Sequence, residues 1–392
     1  MTTDEMSVAE LLSSIKKNNS HDKRPLRLAI VGLGLIGRRH AAAIKQIDSI
    51  EICAVVDTNS EIISQATHGG VATFSDLSDM IDTVNPDGII LATPTNYHVS
   101  QGLTCVEAGI PVLIEKPIAD DVADACHLVQ QSETLNTAVM IGHHRRFNPI
   151  IQKAKQMLDA HEVGDIRVID AKCWFYKPDH YFEIAPWRKN KGAGPVSINL
   201  VHDIDLLRYL CGDIIEVQAV MSTSARGFEV ENVAAAIFRF ENGAIGTISV
   251  SDSSVSPWSW EFTSGENPVY PFTEQSAYYI SGSHAALAIP ELTLWQHAEN
   301  ADWWSPMSPT IKQVDMSDPL VNQLQHFAAV IRGEETAIVA AREGLQNLAV
   351  IEAMRVAAKT GRPARPDAVA EIRRDKIPNN SNFNTGADAT MA

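Results

Sequence analysis

The feature that most constrains this chain is Gly32-Leu33-Gly34-Leu35-Ile36-Gly37. It follows a short apolar run, Leu26–Val31. It opens a helical pattern over 35–47 in which Ile36, His40, Ala43, Ile44 and Ile47 recur at helical spacing. A second apolar run, 51–56, ends at Asp57, twenty positions after Gly37. A glycine-rich turn alone recurs by chance. A strand before it, a helix after it and an acid at that distance together make the dinucleotide-binding pattern. Gly32 makes the tight turn, Gly34 lets a pyrophosphate approach the backbone, and Gly37 lets helix and strand pack closely. The helix N-terminus, at Leu35 and Ile36, offers free N–H groups and the positive end of the helix dipole to phosphates. Asp57 is expected to accept ribose hydroxyls and repel a 2′-phosphate, which favours NAD over NADP. Arg38 or Arg39 could serve a 2′-phosphate, but with Asp57 present they read better as a solvated helix face or a pyrophosphate contact.

Further strand candidates at 88–92, Val112–Ile114 and 137–141 alternate with helical stretches near 97–109 and 119–135. Repeated βα units predict a parallel, doubly wound sheet. After Phe147 the pattern changes. Strands are expected at 166–175, 214–222, 230–240 and 244–252, with a hairpin signal at Asn242-Gly243 and helices near 199–210, 318–332 and 340–360. The fold class is therefore an α/β Rossmann N-terminal domain plus an α+β C-terminal domain with a mainly antiparallel sheet. The expected organisation is a polar N-terminal extension (1–25), a dinucleotide-binding domain (26–146), a substrate-binding and oligomerisation domain (147–367) and a disordered polar tail (368–392). A length of 392 residues suits two domains. The net charge of −16 disfavours nucleic acid as a partner. No apolar run is long enough to span a membrane, and residues 1–25 lack the apolar core of a secretory signal. Five scattered cysteines without a CxxC pair suit a reducing cytoplasm. No metal site is expected: His143-His144 and His180 lack spaced carboxylate or cysteine partners.

Three more segments stand in the same order. They are Ala92-Thr93-Pro94-Thr95-Asn96-Tyr97-His98, Glu115-Lys116-Pro117 and His202-Asp203-Ile204-Asp205-Leu206-Leu207-Arg208. With the glycine motif and Gly142-His143-His144-Arg145-Arg146-Phe147-Asn148, the chain over about 26–365 resembles the glucose–fructose oxidoreductase, inositol dehydrogenase and rhizopine-catabolism family (Gfo/Idh/MocA). The resemblance implies that Thr93, Pro94 and His98 lie against the nicotinamide ribose and pyrophosphate. It implies that Glu115, Lys116 and Pro117 form the floor under the nicotinamide, with a cis bond before Pro117. Lys116 would project toward the substrate hydroxyl, and His202 would enter from the second domain. Elementary chemistry supports Lys116 independently. A lysine in a partly dry cleft beside positive nicotinamide has a lowered pKa and can take a hydroxyl proton while hydride leaves carbon. The competing reading is an ordinary surface lysine.

One position departs from the family pattern. An aspartate commonly stands four residues before this histidine; here Ile198 does, and the nearby polar residue is Asn199. Asparagine cannot take a proton, so the acid–base role falls on Lys116 and His202. A hydrogen-bonded structural histidine is the competing reading for His202. Asp203 and Asp205 are expected in structural ion pairs, with Arg208 as a partner.

Trp174, Tyr176, Lys177, His180, Tyr181, Trp187, Arg188, Lys189 and Asn190 crowd one stretch that suits a polyhydroxy ligand. Trp174, Tyr176 and Trp187, with Lys116, Asn199 and His202, are the candidate substrate contacts; sheet packing and subunit contact compete with that reading. The loop 253–275, with Trp258, Trp260, Glu266 and Asn267, is a candidate cover for the site, and Trp303-Trp304 reads as packing. The expected activity is hydride transfer between NAD(H) and a secondary alcohol of a sugar, inositol or related polyol. Alternatives are transient oxidation with the cofactor recycled (elimination, epimerisation or hydrolysis) and a non-catalytic dinucleotide-binding sensor. Strand 230–240 is apolar on both alternations, which predicts a homodimer or homotetramer through the second sheet, unless the loop 253–275 or a terminal extension covers that face.

Overall fold

The computed structural model describes residues 7–13, 24–222, 224–298 and 301–374. Six parallel strands form the first sheet: β1 Leu26–Val31, β2 Ile50–Val56, β3 Ala72–Phe74, β4 Gly88–Leu91, β5 Val112–Ile114 and β6 Val139–Ile141, in the order β3-β2-β1-β4-β5-β6. β4, β5 and β6 are buried along their whole length, as strands covered by helices on both faces must be. The order reverses between β1 and β4. The helices that follow these two strands therefore depart to opposite faces and leave a crevice at the strands' carboxyl ends.

The second sheet holds β7 Ile166–Trp174, β8 Ile214–Met221, β9 Val233–Phe240, β10 Ile245–Ser251, β11 Tyr278–Gly282, β12 Ala285–Ile289, β13 Thr293–His297 and β14 Met307–Ile311, in the order β14-β13-β12-β11-β7-β10-β9-β8. Every pairing is antiparallel except β7 with β10. β9 alternates strictly. Ala234, Ala236, Phe238 and Phe240 are buried toward helices Leu200–Cys211 and Ala341–Thr360, and Val233, Ala235, Ile237 and Arg239 face outward and are exposed. Each buried phenylalanine contributes about 1.5–3 kcal/mol.

Several expectations are corrected. Val8, Leu11 and Leu12 sit on one face of helix Val8–Ser13 and are buried in the first domain's core, so 1–25 is not simply a polar extension. At the other end, helix Pro366–Arg374 runs past the expected boundary at 368, and Val369 joins the second core; residues 375–392 lie outside the described residues. Nor is the domain boundary sequential. Leu320, Leu324, Phe327, Val339 and Leu348 pack into the first core, and the Ile141 N–H donates to the Val339 carbonyl at 2.9 Å. Strands β11–β14 were not anticipated. Trp303 and Trp304, expected to pack, are 86% and 81% exposed, edge-on to each other.

Candidate active site

At the strand-order reversal the loops after β1 and β4 face each other. Gly32 leaves β1 at φ +85°, and a Cβ there would stand 2.8 Å from the Ala92 carbonyl oxygen. A Cβ on Gly37 would lie 2.0 Å from the Gly32 carbonyl oxygen, whereas one on Gly34 would meet nothing within 4 Å. Two glycines are thus required by the fold, and the third leaves open space over the start of helix Leu35–Ile44. That helix has no side-chain cap. Its first amides, at Leu35 and Ile36, lack intrahelical acceptors, and both side chains are exposed. Asp57 accepts from the Leu33 N–H at 2.8 Å and the Asn59 N–H at 2.9 Å, which pins the carboxylate beside the loop with lone pairs to spare. Open glycine, uncapped helix end and pinned acid fit the pyrophosphate and adenosine ribose of NAD. Arg38 donates back to the Leu33 carbonyl at 3.3 Å.

The loops after β4 and β5 complete the first domain's side. The Thr93 hydroxyl donates to Gln101 at 2.7 Å, and Pro94 leads into the short turn Thr95–Tyr97. His98 is buried, and its two ring nitrogens lie 2.8 Å from the Pro117 and Thr93 carbonyl oxygens. It ties together the two loops that the sequence reading sets against the cofactor. Glu115 lies 2.8 Å from His40 Nε2 and accepts from the Lys116 N–H at 3.3 Å. Burial alone would raise its pKa, but the His40 hydrogen bond and the charges of His40 and Lys116 outweigh burial and hold it at about 2. The Lys116–Pro117 peptide is cis.

Lys116 projects from this floor. Burial lowers the pKa of its ammonium group and Arg145 adds to the fall, while Glu115 and Glu261 oppose it. His202, 7% exposed, comes from helix Leu200–Cys211, with its ring edge-on to His143 at 6.1 Å and His144 at 5.8 Å. Burial pushes its pKa well below the ordinary value, and the Lys116 and Arg145 charges push further, so the imidazole is neutral at pH 7. Its Nδ1 is buried without a hydrogen-bond partner among the described residues. Two domains therefore bring a lysine and an imidazole together, both held toward their neutral forms. That pair can accept a proton from a hydroxyl.

Beside His202, Asp203 and Asp205 make the expected structural ion pairs, but with Arg145 and Arg146. Asp205 is clasped by Arg146, through Nε at 3.0 Å and Nη2 at 2.7 Å, and by Asn347 at 2.7 Å. Asp203 accepts from the Tyr278 hydroxyl, and burial raises its pKa to about 6. Arg208 pairs instead with Asp213 at 2.7 Å and Glu343 at 3.3 Å, so its expected pairing with these aspartates is corrected. The loop 253–275 is anchored. Glu266 binds His144 at 3.0 Å and Asn148 at 2.9 Å, Glu261 binds Arg145 at 2.7 Å, and Trp260 is buried beside Tyr278.

Of the candidate substrate contacts, Asn199 stands one helical turn before His202 and accepts from Lys177 Nζ at 2.6 Å. Lys177 was part of the crowded stretch but was not singled out. Tyr176 and Trp187 are exposed on the segment that follows β7. Trp174 is corrected. Cys173 points inward to Asp203, so by strand alternation Trp174 points outward, where its indole donates to Ser249 at 2.8 Å and meets Trp258.

Comparison with known proteins agrees with this geometry. Residues 26–143 match the oxidoreductase family with an NAD-binding Rossmann fold, and residues 151–287 match the GFO/IDH/MocA C-terminal domain. The 4-carboxy-2-hydroxymuconate-6-semialdehyde dehydrogenase of Sphingobium sp. (strain NBRC 103272 / SYK-6) is 30% identical over 59% of this chain and 74% of its own. The myo-inositol 2-dehydrogenase of Thermotoga maritima is 25% identical over 59% of this chain and 70% of its own. The crystal structure of the WlbA dehydrogenase from Bordetella pertussis, in complex with NADH and UDP-GlcNAcA, superimposes with a TM-score of 0.71 at 27% identity, covering 87% of this chain and 99% of that one. The chain belongs to the Gfo/Idh/MocA oxidoreductase family and is an NAD-dependent dehydrogenase.

Proposed function

We propose that this enzyme oxidises a secondary alcohol of a sugar, inositol or related polyol, with Lys116 and His202 in proton transfer. The observation that carries the reading is that Lys116 from the first domain and His202 from the second stand beside the cofactor crevice, where burial disfavours the charged form of each. NAD, when bound, supplies the hydride acceptor. Thr93, Pro94, Glu115, Lys116 and Pro117 would hold its nicotinamide end. Lys116 in its neutral form removes the hydroxyl proton. His202 and Asn199 orient the hydroxyl-bearing carbon, and Tyr176 and Trp187 border the rest of the substrate. The myo-inositol dehydrogenase relative supports a polyol, whereas the carboxylated semialdehyde in the name of the other leaves the remainder of the substrate open.

The test is NADH formation, followed by absorbance, across a panel of polyols, sugars and sugar acids. Lys116→Ala is expected to lose about 10²–10⁴-fold in kcat/KM on the identified substrate. Full activity in that variant would remove the assignment. NADH formed in proportion to product supports net dehydrogenation; turnover with only catalytic NAD would indicate transient oxidation.

The oligomer proposal rests on the outer face of the second sheet, where Val220 is 74% and Ile237 49% exposed with Val233 and Ile245 beside them. The loop 253–275 leaves these residues uncovered, and a second copy of the chain, as a homodimer or homotetramer, is the proposed cover. Light scattering is expected to give a multiple of 42.8 kDa, and a mass of one chain would reject the pairing. Among the described residues no helix is long and apolar enough to cross a membrane. The five scattered cysteines, without a CxxC pair, support a cytoplasmic location.

A further inference from the structure

The substrate side of the cleft carries positive charge that the chain leaves uncompensated. Lys177 is 4% exposed, and its Nζ donates to the neutral Asn199 amide oxygen. The carboxylates that act on it, Asp252 and Glu261, are committed elsewhere: Asp252 to Arg226 at 2.8 Å, and Glu261 to Arg145 at 2.7 Å. Arg188 stands close by. Its guanidinium lies 3.8 Å over the Tyr181 ring, whose centroid is 5.0 Å from Lys177 Nζ. Arg188 donates to a backbone carbonyl at 2.7 Å, and its Nε is buried without a hydrogen-bond partner among the described residues. In a chain of net charge −16 this is a local excess against the composition. Burial lowers the Lys177 pKa while Asp252 and Glu261 oppose the fall, and a buried ammonium whose one hydrogen bond is to an amide oxygen is costly unless an anion completes it.

We propose that the substrate is a hydroxy acid whose carboxylate is bound by Lys177, with Arg188 reinforcing the field across Tyr181, while its hydroxyl meets Lys116 and His202. The inference rests on the dehydrogenase reading above and adds the second functional group of the substrate. An ammonium group has three donors; Asn199 takes one, leaving two for a single carboxylate. Charge-assisted bonds in a partly dry site fix orientation as well as affinity, so the acid end sets which hydroxyl reaches Lys116. Asn199, one turn before His202, places this anchor beside the reacting end.

The test compares matched compounds: neutral hexoses, the corresponding uronates, and the hexose 6-phosphates, each with NAD and the intact protein. The uronates are expected to exceed their neutral partners by about tenfold or more in kcat/KM, as a charge-assisted contact implies. In a thermal-shift assay with NADH they are expected to be the compounds that raise the Tm. Lys177→Met should collapse the preference through KM, and Lys177→Arg should retain part of it. NADH fluorescence titration verifies that the variants keep the cofactor domain folded. If Lys177→Met does not fold, the wild-type comparison decides alone. Neutral sugars or phosphates matching or exceeding the uronates would overturn the acid anchor and leave the dehydrogenase reading intact. NADH formed with none of the compounds, and no Tm shift by any, would count against both, whereas uronate binding without turnover would uphold the anchor and reject the activity.

Discussion

The glycine loop separates what the fold requires from what the cofactor requires, and a pair of alanine substitutions can read the two apart. Gly34 sits at φ −71°, ψ −160°, a conformation open to any L-residue, with nothing within 4 Å of its Cβ position. Gly34→Ala gains about 0.4–1 kcal/mol from a less flexible unfolded chain. It loses about 0.5–1 kcal/mol as a poorer helix cap. The protein without cofactor should therefore melt within about 1–2 °C of the parent, since about 1 kcal/mol shifts Tm by 2–4 °C in a domain of 150–250 residues. The added methyl, however, enters the space through which a pyrophosphate reaches the Leu35 and Ile36 amides. Crowding of that kind costs about 1–3 kcal/mol, or about five- to 150-fold weaker NADH binding. Gly37→Ala behaves differently. Its Cβ would stand 2.0 Å from the Gly32 carbonyl oxygen, a backbone atom that cannot swing aside, so helix and strand must part and the Tm should fall by several degrees even without cofactor. Melting curves of the cofactor-free proteins and NADH fluorescence titrations measure both effects. Gly34→Ala binding NADH within twofold of the parent, or Gly37→Ala melting like the parent, would refute the reasoning.

Two further outcomes follow from buried charge. His143 is held down to about 4 by burial and His202 well below its ordinary 6.5, so the unfolded chain takes up their protons first. Their contribution is present above pH 6.5 and is lost as pH falls toward 4, on the order of 3 kcal/mol for His143. Asp203, raised to about 6, works in the opposite direction in that window, so the comparison is between proteins: urea titrations should show His143→Gln losing less stability than the parent between pH 6.5 and 4, and equal losses would refute it. Asp205→Ala leaves the buried Arg146 guanidinium with Glu343 as its remaining carboxylate and should cost up to about 3 kcal/mol, whereas Glu133→Ala, which breaks the exposed pair with Arg342, should cost less than about 1 kcal/mol in the same denaturation assay.

Local geometry was legible in the sequence and long-range partnership was not. The glycine spacing, the acid at Asp57 and the alternation of β9 are near-neighbour patterns, and each maps directly onto backbone geometry. Parity along β7 also carries the information that Trp174 and Cys173 face opposite ways. Val8, Leu11 and Leu12 carry the spacing of a buried helical face, hidden within a segment that is polar on average. By contrast, nothing local pairs Lys177 with Asn199, or Arg146 with Asp205, 59 positions apart. Those contacts depend on how the second sheet sets helix Leu200–Cys211 against the domain junction. β14 is exposed along its length and lacks the buried alternation by which strands are recognised.

The return of Leu320, Phe327, Val339 and Leu348 to the first core has a consequence for how the protein is made. When a ribosome has released β6, the first sheet still lacks the helix over Gly88 and the segment that covers its edge at Ile141. Those pieces lie roughly 200 residues downstream, which at about 5–20 residues per second is on the order of 10–40 s of synthesis. Throughout that interval the nascent dinucleotide-binding half presents an apolar flank and an unpaired strand edge, a surface for chaperones to shield. The two halves of this enzyme therefore mature together once residues 320–369 have emerged, and a chain stopped after the second sheet is left with neither core closed.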